Sequence, residues 1–133
     1  MSHPAPAPVF GLSRIGQIAV VVHDLERATA FYRDRLGMKF LFAAPPRLAF
    51  FDAGGTRLML DAAAEPGFDH PGSILYFDVP DVREAHTTLR ARGVEFVDQP
   101  HVVAPMPNGD LWMTFFRDPD GNTMALMSVL PRG

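Results

Sequence analysis

The chain reads as an α+β domain of two tandem βαβββ modules whose mixed sheets curl into a cup. Three observations lead there. An apolar β-prone run leads into an Asp-started helix, each helix stops at a glycine, and the whole pattern recurs. Val22-His23-Asp24-Leu25 is matched by Val79-Pro80-Asp81-Val82, and Leu36-Gly37-Met38-Lys39-Phe40 by Arg92-Gly93-Val94-Glu95-Phe96, at offsets of 57 and 56 residues. The 133 residues suit one domain: a Pro- and Ala-rich tail over 1–12, then a folded part over 13–133 with repeats at about 13–62 and 73–130.

Ile15 to Val22 is β-branched and apolar enough for a buried strand, and Asp24 stands where an N-cap belongs. Leu25, Ala28, Phe31, Tyr32 and Leu36 then recur at helical spacing along one face, while Glu26, Arg27, Arg33, Asp34 and Arg35 fall largely on the other. Gly37 closes the helix. Three β-prone runs follow at about Lys39 to Ala43, Arg47 to Asp52 and Arg57 to Asp61, broken by Pro45-Pro46 and Gly54-Gly55. A polar loop from Ala63 to Gly72 separates the halves. Ser73 to Val79 opens the second module, Asp81 caps its helix with Glu84 as capping-box partner, and Gly93 stops it. Val94 to Val97, Leu111 to Arg117 and Asn122 to Val129 are its three remaining strands, with Asp118-Pro119-Asp120-Gly121 turning the last hairpin.

Composition excludes several functions. A net charge of −3 spread without a basic stripe argues against nucleic acid as a partner, and no apolar stretch approaches the roughly 20 residues of a membrane-spanning helix. Zero cysteines rule out disulfides, thiolate metal sites and cysteine nucleophiles. The opening Met1-Ser2-His3-Pro4-Ala5-Pro6-Ala7-Pro8 has neither the charged nor the apolar region of a signal peptide, so a cytoplasmic location is the expectation.

Asp24-Leu25-Glu26-Arg27-Ala28-Thr29-Ala30-Phe31-Tyr32 followed by Leu36-Gly37-Met38, with Arg117-Asp118-Pro119-Asp120-Gly121-Asn122 near the C-terminus, resembles the vicinal oxygen chelate superfamily. This group comprises glyoxalases, bleomycin-resistance proteins and extradiol dioxygenases, and the resemblance spans essentially Ile15 to Val129. It implies a divalent metal on the cup floor, held by His, Gln or Glu from the first and last strand of each repeat. Carried over residue by residue, those places are Gln17 and Met59 in the first repeat and Ile74 and Ala125 in the second. One neutral amide with a thioether, a branched alkyl and a methyl cannot repay the dehydration of such an ion, so no metal and no cofactor are expected there. Relocated ligands would have to come from His70, His101, Asp61, Asp78 or Asp110.

Strand alternation from those four places gives an inward set of Gln17, Ala19 and Val21, then Arg57, Met59 and Asp61, then Ile74, Tyr76 and Asp78. Leu111, Met113, Phe115, Thr123, Ala125 and Met127 complete it. From this set Gln17, Arg57, Met59, Ile74, Tyr76, Met113, Phe115 and Ala125 are the expected ligand-binding residues. The wall suits a small hydrophobic or aromatic molecule, although Met59, Ile74, Met113, Phe115 and Met127 could equally pack as core. Gln17, Arg57 and Tyr76 must pair with one another or meet a ligand, and Arg57 is suited to a carboxylate or phenolate. Trp112 has the opposite parity, which places it in core or dimer-interface packing. No two histidines show helix metal spacing, and His70 and His101 fall in loops beside prolines.

Two functions follow. The first is metal-free binding or sequestration of a hydrophobic or aromatic small molecule. The alternative is a family enzyme, a lyase, isomerase or dioxygenase, using a relocated metal or metal-free acid-base catalysis by Tyr76, Asp78 or a loop histidine. A homodimer is expected, because two open sheets leave edges and apolar surface uncovered.

Overall fold

The structure is a computed structural model that describes residues 13–62 and 72–132. The expected N-terminal tail, and the inter-repeat loop up to residue 71, lie outside the described residues. The first half runs β1 (Gln17–Val21), α1 (Leu25–Ala30), a π-helical turn (Phe31–Arg35), β2 (Lys39–Ala44), β3 (Leu48–Ala53) and β4 (Thr56–Asp61). The second runs β5 (Leu75–Asp78), α2 (Val82–Ala91), β6 (Glu95–Phe96), β7 (His101–Met106), β8 (Gly109–Arg117) and β9 (Thr123–Leu130). This is the duplicated α+β plan that the sequence predicts.

Each half makes its own mixed sheet. The first has the order β1-β4-β3-β2, with β1 parallel to β4 and the other pairs antiparallel. The second repeats it as β5-β9-β8, with β5 parallel to β9, and both β6 and β7 pair along the far side of β8. Ala19 opposes Met59 as Tyr76 opposes Ala125, so the register itself relates the two halves.

One strand departs from the expectation. Three strands were expected after α2, and β7 is a fourth, taking the position that β2 holds alone in the first sheet. Between β6 and β7 the Asp98 carboxylate accepts from Thr114 Oγ1 at 2.7 Å and from the Phe115 amide at 2.9 Å. A side chain thus satisfies a backbone donor of β8 where the edge strand is interrupted. Pro100, Pro105 and Pro107 argue against a strand in a linear reading. Pro105 nevertheless sits opposite Asp110 on an edge strand, where no further strand needs its missing N–H.

The helices also differ. A continuous helix to Leu36 was expected. Instead the first helix ends in the π turn, with the Leu36 amide donating to the Phe31 carbonyl at 3.0 Å. The offset between repeats falls from 57 at the caps to 56 at the glycines, so the first helix carries one extra residue, which this turn absorbs. Gly37 and Gly93, at φ +72° and +87°, stop the two helices in the left-handed region.

The two faces of each sheet have different fates. Val20, Leu58, Leu60 and Phe51 of the first sheet, with Phe116, Met124 and Leu126 of the second, face the helices and form one core with Tyr32, Val82 and Val94. Trp112 packs against that core and carries the Arg83 guanidinium 5.4 Å above its ring. Polar groups join the halves at the seam. The Tyr32 hydroxyl donates to Asp118 Oδ2 at 2.8 Å, Asn122 Nδ2 to the Val21 carbonyl at 2.9 Å, and Arg27 to Asp120 at 2.9 Å. Burial first, and then the charge of Asp118, push the Tyr32 hydroxyl far above its ordinary pKa, so it remains a neutral donor.

Candidate functional site

The site is built from the strand residues whose side chains point away from the helices. On the first sheet, Gln17, Arg57 and Met59 form one group. Arg57 Nε donates to Gln17 Oε1 at 2.7 Å, and Gln17 Nε2 lies 3.6 Å from the Met59 sulfur. The Arg57 guanidinium stands 4.8 Å above the Phe50 ring, and Phe42 stacks on that same ring with the centroids 4.5 Å apart. Gln17 and Arg57 therefore pair with one another, one of the two outcomes expected of them. Arg57 retains further guanidinium donors and remains exposed.

On the second sheet, Tyr76 meets Phe115 edge to face at 6.1 Å, and Phe115 opposes Ala125 while Met113 opposes Met127. Ala125 is fully buried and presents no surface. Ile74 and Tyr76 are exposed by 41% and 46%, unusual for an isoleucine and a tyrosine that could have been buried. A cavity of about 630 Å³ at the junction of the halves is lined by Arg57, Ile74 and Tyr76 together, with Ile15, Ile18 and Asp52. Of the eight expected residues, Arg57, Ile74 and Tyr76 line this cavity, whereas Gln17, Met59, Met113, Phe115 and Ala125 do not.

Phe50 and Phe42 went unnoticed in the sequence because the inward set was traced along β1, β4, β5, β8 and β9 only. The alternation Leu48, Phe50, Asp52 carries the signal, since Phe50 opposes Met59.

The four places where the resemblance puts metal ligands do not fit a divalent ion. Gln17 offers the one hard donor, and its amide oxygen faces a guanidinium rather than an open position. Met59, Ile74 and Ala125 supply no hard donor at all. Among the described residues no three His, Asp or Glu side chains come together as a ligand group. Asp61 pairs with Arg47 at 2.8 Å, Asp110 with Arg132 at 3.2 Å, and His101 Nδ1 lies 2.8 Å from the Gln99 carbonyl. His70 lies outside the described residues.

The Asp118-Pro119-Asp120-Gly121-Asn122 segment holds the seam beside this site. Asp118, 5% exposed, accepts from the Tyr32 hydroxyl, the Asp120 and Asn122 amides and Asn122 Nδ2, all within 2.9 Å. Among the described residues no helix is long and apolar enough to cross a membrane.

Comparison with known proteins agrees with this architecture. The uncharacterized protein YraH of Bacillus subtilis (strain 168) is 28% identical over 127 residues, covering 86% of this chain and 97% of its own. Mitochondrial methylmalonyl-CoA epimerase of Bos taurus is 38% identical over a shorter stretch of 64 residues, 44% of this chain and 37% of that protein. The crystal structure of lactoylglutathione lyase from Agrobacterium tumefaciens superposes with a TM-score of 0.67 at 27% identity, covering 89% of this chain and 95% of that one. The family model described as Glyoxalase/Bleomycin resistance protein/Dioxygenase superfamily matches residues 14–126, and the chain belongs to that superfamily.

Proposed function

We propose that the open face binds a hydrophobic or aromatic small molecule without a metal, and that an anionic group of that molecule, a carboxylate or phenolate, docks on Arg57. The observation that carries this reading is the position of Arg57. It donates to Gln17 at the place of an expected metal ligand and lies over Phe50, so a fixed cation and an aromatic platform stand together. Ile74, Tyr76 and Phe115 add apolar and aromatic surface beside it.

The test uses 2-naphthoate and its neutral analogue naphthalene-2-methanol, followed by thermal shift and calorimetry. The acid should bind more tightly, and Arg57→Ala should weaken it by about tenfold while leaving the alcohol nearly unchanged, as expected for loss of one charge-assisted contact. Equal affinities in wild type and Arg57→Ala would place the ligand elsewhere. Adding EDTA should leave the affinity for naphthoate unaltered; an affinity that needs an added divalent ion would overturn the metal-free reading. The enzyme alternative draws on the named activities of the epimerase and the lyase among the relatives. It requires one tightly held ion per chain or turnover that depends on Tyr76, Asp78 or a histidine such as His101.

Apolar side chains left exposed on the two sheets support a homodimer. Phe42, Tyr76, Val102 and Val103 are 46–49% exposed on the sheets. Light scattering should give a mass of twice 14.6 kDa in dilute solution. A monomer at micromolar concentration would count against the dimer without touching the binding reading.

A further inference from the structure

The two halves fill their helix-sheet grooves differently. Counted from the caps Asp24 and Asp81, Phe31 and Tyr32 of the first half correspond to Thr88 and Leu89 of the second. In the first half both rings are buried, and Tyr32 lies 6.0 Å from Phe51. In the second, Phe116 takes the place of Phe51, and a threonine and a leucine stand where two aromatic rings would otherwise cover it. On the helix side of the second sheet lies a cavity of about 440 Å³, which Arg57 does not line but which shares Met38, Phe77 and Asp78 with the cavity that Arg57 lines. Its floor is Phe116 and Leu126, and Phe77, Leu89, Leu36 and Met38 close its sides.

Its mouth carries one sign of charge. Asp78, Asp81 and Glu84 line it, and no Lys or Arg does. Asp81 is committed to capping α2 and to Arg83 at 3.1 Å. Asp78 and Glu84 are exposed, and among the described residues neither has an ion-pair partner within 4.0 Å. An apolar hollow of drug-fragment size with an acidic rim complements a molecule with an apolar body and a cationic end.

We propose that this second cavity binds a small amphipathic organic amine, its apolar part on Phe77, Leu89, Phe116 and Leu126 and its ammonium group between Asp78 and Glu84. This cavity adjoins the Arg57 site through Phe77 and Asp78, and the two select opposite charges.

The probes are 4-phenylbutylamine, 4-phenylbutanol and 4-phenylbutyrate, titrated into the full chain with amide chemical shifts as readout. The amine should shift the amides of Phe77, Glu84, Thr88 and Leu89 and bind about tenfold more tightly than the alcohol at that place. Thr88→Phe, which restores the aromatic of the first helix, should abolish those shifts. The surface double variant Asp78→Asn with Glu84→Gln should bring amine and alcohol to equal affinity without unfolding the domain. Arg57→Ala should leave amine binding as it was. Equal binding of amine and butyrate at α2, or an undiminished amine affinity in the double variant, overturns the proposal, as does the absence of any amine-induced shift.

Discussion

Asp118→Ala is expected to lose about 4 kcal/mol of folding stability, measured by urea unfolding, the largest effect of any single polar substitution in the seam. Four donors converge on this buried carboxylate, from Tyr32, Asp120 and twice from Asn122. Truncation leaves the Tyr32 hydroxyl and the Asp120 and Asn122 amides without this acceptor in a place that is 5% exposed, while Asn122 Nδ2 keeps the Val21 carbonyl, and desolvated donors cost about 1–3 kcal/mol each unless water enters. Tyr32→Phe is the milder partner experiment. It removes one donor while the carboxylate keeps three, so about 1–2 kcal/mol is expected. The pair also has a pH signature. The Tyr32 hydroxyl is raised by burial and by Asp118, so the folded chain holds its proton where the unfolded chain releases it. Its contribution is complete below the ordinary tyrosine value of 10.0 and is lost as pH rises above it. The wild type should therefore weaken more steeply than Tyr32→Phe above that pH. Parallel alkaline profiles would show that Tyr32 ionises freely.

The second large effect is expected at Gly109→Ala, with about 3 kcal/mol lost in the same unfolding experiment. Gly109 opens β8 directly after the β7–β8 turn at φ +148°, a conformation that side-chain-bearing residues avoid, and a β-carbon there would stand 2.3 Å from the Leu130 carbonyl oxygen. That oxygen belongs to the backbone of β9 and cannot swing aside. Gly54→Ala is the control, since Gly54 has φ +65° but nothing within 4 Å of the added carbon. About 1 kcal/mol is expected from backbone strain alone. Equal losses at the two glycines would mean that β9 relaxes around the new methyl group.

What the linear sequence reveals follows from how local each signal is. Asp24 and Asp81 cap their helices through their own side chains, and Gly37 and Gly93 stop them by their own φ, so both helices are legible from four residues. The duplication is legible because it repeats those local signals. β7 was missed for a physical reason. Its prolines speak against a strand, yet Pro107-Asn108 forms the two-residue turn between Met106 and Gly109, and Pro105 lies on an edge where its missing N–H costs no ladder bond. The candidate site was legible in part. Alternation put Gln17, Arg57, Met59 and Tyr76 on the faces turned away from the helices. Only cross-strand register reveals that Phe50 lies beneath Arg57, because they sit on different strands and Phe50 faces Met59. The Tyr32–Asp118 contact, 86 positions apart, has no local trace at all.

The extra residue of the first helix sets a limit on change in this protein. A helix advances about 100° per residue, so adding or removing one position between Asp24 and Gly37 would turn Tyr32 off its carboxylate or swing the cap away from Arg27. Drift in length is thereby barred from the first helix, whereas substitutions on its outer surface remain cheap. Lineages of this chain should vary in residue identity along Glu26, Arg33 and Asp34 long before they vary in spacing.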